Sequence, residues 1–307
     1  MAADGVDVNL DESRQTNIIV CAVLTWVFAL TFVCLRLYTR ARLTRCIGGE
    51  DWILVTAMVS STAMAITIIC QVTKGLGLHM QRVDQSDWVS LRFAGWLGML
   101  FNAMSLYLTK ISILLLYARI LTRSKYRMAI YVASIIVGVS FVYTMAITFL
   151  ACRPLHGFWK PATQTCLTSE YWIVSTAMHL GTDLLATILP FPLVLALNMR
   201  VTERAILLLL FGLGFLVSIT SLLRLYYSVT STSADSTWAS ILPTYWGCIE
   251  INVAIICACL MTLRPLAHRW FPRFLLSKMS SRLQNSGYPS GASPLGEGWI
   301  QVILWTI

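Results

Sequence analysis

Three ionisable side chains stand near the middle of long apolar runs in this chain: Lys110, Asp183 and Glu250. A charge at the centre of a bilayer is costly unless it is paired or hydrated, so such residues face a bundle interior. His179 precedes Asp183 by four residues and shares its helix face, and Asn102 lies eight residues before Lys110, two turns along roughly the same face. These five residues are expected to converge on one intramembrane polar site. Its chemistry would be an ion network that fixes helix packing, or a ligand, proton or ion site. The acids Asp183 and Glu250 could also exchange protons with a membrane-dissolved molecule, although the pattern assigns no catalytic residue. No Cys/His cluster has zinc-ligand spacing, so no metal is expected. A lysine inside a membrane run invites a retinal Schiff base, but the last run holds no lysine and Lys110 belongs to the third. That argues against the usual light-driven arrangement, and no cofactor is implied.

The elements that would position these side chains are seven apolar runs: Asn17 to Leu35, Trp52 to Val72, Phe93 to Ala118, Met128 to Ala151, Tyr171 to Leu197, Ala205 to Tyr226 and Ala239 to Leu263. A helix needs about 20 predominantly apolar residues to cross the hydrocarbon core, and each run qualifies. With a rise of about 1.5 Å per residue, Lys110 sits ~12 Å from the inner end of its run, and Glu250 and Asp183 sit ~17 and ~18 Å below their outer ends. All three depths fall near the midplane of a core about 30 Å thick.

Composition agrees. Of 307 residues 57% are hydrophobic and only 12% charged, with mean hydropathy +0.71, which excludes an ordinary soluble domain. No polar block is large enough for a second core. The expected fold is an all-α, polytopic seven-transmembrane helix bundle spanning 17–266. Residues 1–16 form an extracytoplasmic amino-terminal segment, and residues 267–307 a short basic cytoplasmic tail. Fifteen Lys and Arg fall in the odd-numbered loops and tail, from Arg36 to Arg282, against six in the even-numbered segments, from Arg14 to Lys160. By the positive-inside rule the amino terminus lies outside and the carboxyl terminus in the cytoplasm. The net charge of +9 is concentrated at that cytoplasmic boundary, so membrane lipids rather than nucleic acid are the expected partners.

The loops carry further signals. Glu50 and Asp51 precede the second run, where acids cap free backbone N–H groups and oppose the helix dipole. Gly75 and Gly77 mark a tight turn, with no preceding strand to make a phosphate loop. Cys152 and Cys166 share one outer loop and could close it as a disulfide in an oxidising exterior. Pro190 and Pro192 bend the fifth run. Gly212 and Gly214 could permit close helix approach, and Arg224 lies near an outer end, from which it could snorkel to the interface. The apolar end, Trp299 to Ile307, is too short to span.

Together, Gly49-Glu50-Asp51-Trp52, Gly75-Leu76-Gly77-Leu78-His79, the Leu108-Thr109-Lys110 to Arg119-Ile120 segment, Cys152-Arg153-Pro154 with Trp159 and Cys166, Asp183 with Pro190 and Pro192, and Leu263-Arg264-Pro265-Leu266 resemble the fungal rhodopsin-domain family of integral membrane proteins. The family includes satratoxin-cluster membrane proteins and is similar to fungal receptor-like proteins linked to pathogenicity. The resemblance implies a seven-helix fungal membrane protein, often encoded beside specialised-metabolite genes, with no established catalytic residues and no bound retinal. It favours a pathway-associated membrane protein whose partners are a hydrophobic metabolite or pathway enzymes. A receptor-like sensor of an extracellular or lipid-borne ligand is the alternative. A transporter is third, without an evident inverted repeat.

Overall fold

A computed structural model describes residues 15–120, 124–160, 165–189, 201–230, 237 and 240–262. In lipid every backbone N–H and C=O must be satisfied within the protein, so apolar runs of this length become helices. Seven are present among the described residues: α1 (Gln15–Tyr38), α2 (Gly49–Thr73), α3 (Trp88–Ile120), α4 (Ser124–Phe149), α5 (Ser169–Ile188), α6 (Val201–Thr230) and α7 (Ile241–Leu260). Six of them are long and apolar enough to cross a membrane. The exception is α5, which carries Glu170, His179 and Asp183. The expected continuation of α5 to Leu197, with Pro190 and Pro192, lies partly outside the described residues. So do residues 1–14 and the tail with its apolar end.

The helices pack in chain order and the ring closes by α1 against α7, while α3 runs through the middle and touches α2, α4, α5 and α7. One apolar core joins α1, α2, α3 and α7 through residues such as Ile18, Leu54, Leu106 and Ile255. A second joins α3 to α4 around Tyr107, Leu114, Ile130 and Val137. Short polar side chains stitch the helices across the core. Asn252 accepts from Ser61 Oγ at 3.1 Å and donates to Thr25 Oγ1 at 3.0 Å, so one amide ties α7 to α2 and α1. Large apolar side chains on the opposite faces, including Phe28, Ile135, Val142 and Phe215, are exposed, as expected of a surface whose solvent is lipid.

The two ends of the bundle differ. At one end α2 leads to α3 through Gly75 and Gly77, whose φ values of +107° and +92° are left-handed conformations that glycine adopts without steric cost. Gly77 lies against the backbone of Gln15, and Gln15 Nε2 donates to Val72 O at 2.9 Å. Beside this turn Asp87 holds the exposed Lys74 ammonium above its ordinary pKa by a 2.8 Å ion pair. The α4–α5 connection at the same end contains β1 (Cys152–Arg153) and β2 (Thr165–Cys166), an antiparallel pair that sets Cys152 opposite Cys166, and a disulfide joins the two. Trp159 of this connection packs on Phe93 and Trp96. Gly214 meets Thr187 closely where α6 crosses α5, whereas Gly212 faces nothing within 4 Å and takes no part in that approach.

The opposite end is arginine-rich. Arg36 continues α1 inward and is 1% exposed; its Nε and Nη2 reach Asp51 Oδ1 at 2.9 and 2.8 Å, and its Nη1 donates to Ala258 O of α7. Arg40 pairs with Glu50 at 2.7 Å and with Asp51 at 3.2 Å, and Arg119 at the end of α3 also reaches Glu50 at 2.7 Å. Asp51 does cap α2, accepting the Gly48 N–H at 3.1 Å. The capping expectation is thus incomplete: these acids chiefly neutralise buried arginines and clamp α1, α2, α3 and α7 together.

Candidate functional site

Between the two ends lies the polar centre. Lys110 on α3 is 4% exposed, and its Nζ sits 3.1 Å from Asp183 Oδ1 on α5. The same ammonium donates to Thr182 Oγ1 at 2.8 Å and to His179 O at 3.0 Å, and lies 3.3 Å from His179 Nε2. His179 Nδ1 lies 3.1 Å from Asp183 Oδ2, the contact expected of residues four apart on a helix, and 3.5 Å from Glu250 Oε1 on α7. Ser221 on α6 donates to Asp183 Oδ2 at 2.9 Å and also meets Glu250 Oε1. Helices α3, α5, α6 and α7 therefore meet at a single constellation.

Arg224 on α6 completes it. The snorkelling expectation is wrong: the side chain turns inward, is 14% exposed, and places Nε 3.1 Å from Glu250 Oε2. Its Nη1 donates to Asn102 Oδ1 at 3.1 Å, and its Nη2 lies 3.3 Å from His179 Nδ1. Asn102 thus belongs to the cluster through Arg224, not through Lys110. The missed residues include Arg224, Ser221, Thr182 and Tyr107, and a charge count could have found the first. Of the 23 Lys and Arg, 21 lie outside the apolar runs, leaving Lys110 and Arg224 against Asp183 and Glu250. Two buried acids and one cation do not balance, and Arg224 supplies the missing charge. Ser221, three residues earlier on α6, falls on the same face.

His179, Asp183 and Glu250 bring ligand atoms within 4.8 Å of one another, a spacing a metal ion could use. Both carboxylates are already neutralised by Lys110 and Arg224, however. A divalent ion would leave an uncompensated double charge in a buried site, which the surroundings disfavour.

A cavity of about 530 Å³ lies in the half of the bundle that carries the disulfide. Its walls come from α2 through α7, with apolar contributions from Met64, Ile68, Met99 and Trp172, and its floor is formed by Asn102, Tyr107, His179 and Arg224. That volume lies within the range of small-molecule sites, about 300–1,000 Å³. Asp183, Glu250 and Lys110 do not line it; they lie behind the floor and are reached through His179, which touches both acids. The Lys110 ammonium is taken up by Asp183, Thr182 and the His179 carbonyl and does not line the cavity, so the residues present do not fit a retinal Schiff base.

Seven helices, six of them apolar enough to cross a membrane, packed around a buried, charge-balanced polar cluster define a polytopic membrane protein. The fungal rhodopsin domain matches residues 35–269, and the chain belongs to that family. It is similar to the polyenoic acids biosynthesis gene cluster protein Ba17b of Metarhizium anisopliae, with 28% identity covering 77% of this chain and 70% of that protein. It is also similar to the receptor GIN3 of Arthrobotrys oligospora, with 25% identity over 85% of this chain and 64% of the relative. The wortmanamides biosynthesis cluster protein C of Talaromyces wortmannii is 23% identical over 96% of this chain and 86% of its own.

Proposed function

We propose that this chain is a membrane protein of a specialised-metabolite pathway and that its bundle cavity holds a small, largely apolar molecule above the charged cluster. The observation that carries the reading is the cavity itself, apolar-walled and floored by Arg224, Asn102 and His179. The pathway assignment is supported by relatives named for polyenoic acid and wortmanamide clusters. The disulfide end faces the oxidising side of the membrane, an orientation supported by the Lys and Arg asymmetry and by the Cys152–Cys166 bridge. The surrounding partner is lipid, with a hydrophobic metabolite or a pathway enzyme as the specific one.

Deletion of the gene with metabolite profiling, followed by complementation, tests this. Loss of one product class, restored by the unaltered chain but not by Ala103→Phe at equal protein level, is the expected result. An unchanged profile on deletion removes the pathway assignment, and full rescue by Ala103→Phe, which fills the cavity wall, removes the cavity from it. The receptor named among the relatives favours a second reading, in which the same cavity binds a signal molecule. Deletion would then abolish a response to an added compound and leave the product profile intact.

A further inference from the structure

The cavity floor is specific about the polar group it can meet. The four formal charges at and behind it cancel, because Lys110 and Arg224 stand against Asp183 and Glu250. The floor nevertheless shows donors to the cavity and keeps its carboxylates behind them. A guanidinium has five N–H groups. Among the described residues, Arg224 spends one Nη1 donor on Asn102 Oδ1 and directs Nη2 towards His179, which leaves further Nη donors at the floor. Among the described residues Asn102 Nδ2 has as partner only the Met64 thioether, at 3.8 Å, a weak acceptor. Several hydroxyls higher on the walls are already committed: Thr144 pairs with Ser175 at 3.0 Å, and Thr176 and Thr244 donate to the backbone of their own helices.

Three kinds of polar head can be compared. An amine would approach Arg224 with like charge and would find no free acid. A carboxylate would add a negative charge to a set that is already balanced and poorly hydrated. A neutral oxygen acceptor would take hydrogen bonds from Arg224 and Asn102 and disturb no ion pair. We propose that the occupant is an uncharged, largely apolar molecule that meets Arg224 and Asn102 with a carbonyl oxygen, as in a ketone, ester or lactone. The inference rests on the cavity reading above and adds the identity of the head group.

The test uses the full chain in lipid nanodiscs and four probes of equal chain length: undecane, 2-undecanone, undecanoic acid and undecylamine. Apparent dissociation constants are read by native mass spectrometry at one ligand-to-lipid ratio. The ketone is expected to bind about tenfold more tightly than undecane, the effect of one or two hydrogen bonds to a charged donor, with the acid and amine weaker than the ketone. Asn102→Leu should shrink the ketone advantage several-fold and leave undecane unchanged. Equal binding of ketone and undecane overturns the head-group inference while the cavity reading stands. Tightest binding by the acid or the amine overturns the charge-balance argument. Failure of all four, undecane included, removes the cavity reading together with the inference. The panel on the unaltered chain decides the matter even where Asn102→Leu does not fold.

Discussion

Removing Lys110 should expose how much of the bundle the charged centre holds. At the 3.1 Å separation of Lys110 Nζ and Asp183 Oδ1, the attraction at an effective dielectric of about 20 is roughly 5 kcal/mol. Lys110→Met deletes this attraction and, among the described residues, leaves Asp183 buried with Ser221 and His179 as its side-chain partners. Breaking one half of a buried pair typically costs about 3–5 kcal/mol. Chains unfolded within a membrane also find polar partners, which moves the expectation to the lower end, about 3 kcal/mol. Asp183→Leu should cost about as much, since it strands Lys110. The double variant should cost less than the sum, with a coupling of about 2 kcal/mol, because neither charge is then left alone. The assay is detergent-titrated unfolding in mixed micelles for the four proteins of the cycle. Single losses below about 1 kcal/mol that add within about 0.5 kcal/mol would refute the claim that this pair holds α3 to α5.

The arginine end offers an internal contrast: Asp51→Asn should destabilise by about 3 kcal/mol because Arg36, 1% exposed, loses its carboxylate, while Arg119→Ala, whose side chain is 38% exposed, should cost under about 1 kcal/mol in the same unfolding assay. Cys152→Ser should lower stability by about 3 kcal/mol by chain-entropy reckoning for the loop of 14 residues, and should abolish the gel-mobility change that reduction causes in the unaltered chain. Gly77→Ala should cost about 1–2 kcal/mol, since it imposes φ +92° on an alanine and sets a Cβ 3.2 Å from the Gln15 backbone nitrogen; an unaltered melting temperature would show that the turn relaxes freely.

Depth was readable because it follows from run length and helical rise, and this placed Lys110, Asp183 and Glu250 at one level. The i, i+4 spacing placed His179 beside Asp183, where it lies 3.1 Å away. Helix rotation was not readable. A residue near the end of a run can snorkel outward or turn inward, and the choice for Arg224 depends on which neighbour faces it across α6 and α7, information that no single helix contains. The same limit hid the roles of Glu50 and Asp51. Their positions at the start of α2 satisfy a local capping rule, so the local explanation looked sufficient, while Arg36 comes from α1, Arg40 from the π-helical stretch Thr39–Thr44 that follows it, and Arg119 from α3.

Structural network and the proposed ligand site are not competing descriptions of the polar centre, because Arg224 would belong to both. Its Nε faces Glu250 and holds α6 to α7, while its Nη groups meet Asn102 and His179 at the cavity floor. A ligand that competes with Glu250 for the guanidinium would have to loosen the α6–α7 contact, and it would also strand a carboxylate that is 0% exposed. Such a ligand works against several kilocalories of packing. A ligand that uses the remaining Nη donors adds interactions without removing any, and so stabilises the bundle in proportion to its occupancy. The sign of the shift in unfolding temperature on ligand binding therefore reports which face of Arg224 is engaged. Occupants of the cavity should raise it, and a molecule that binds yet lowers it would show that the ion network itself is the moving part.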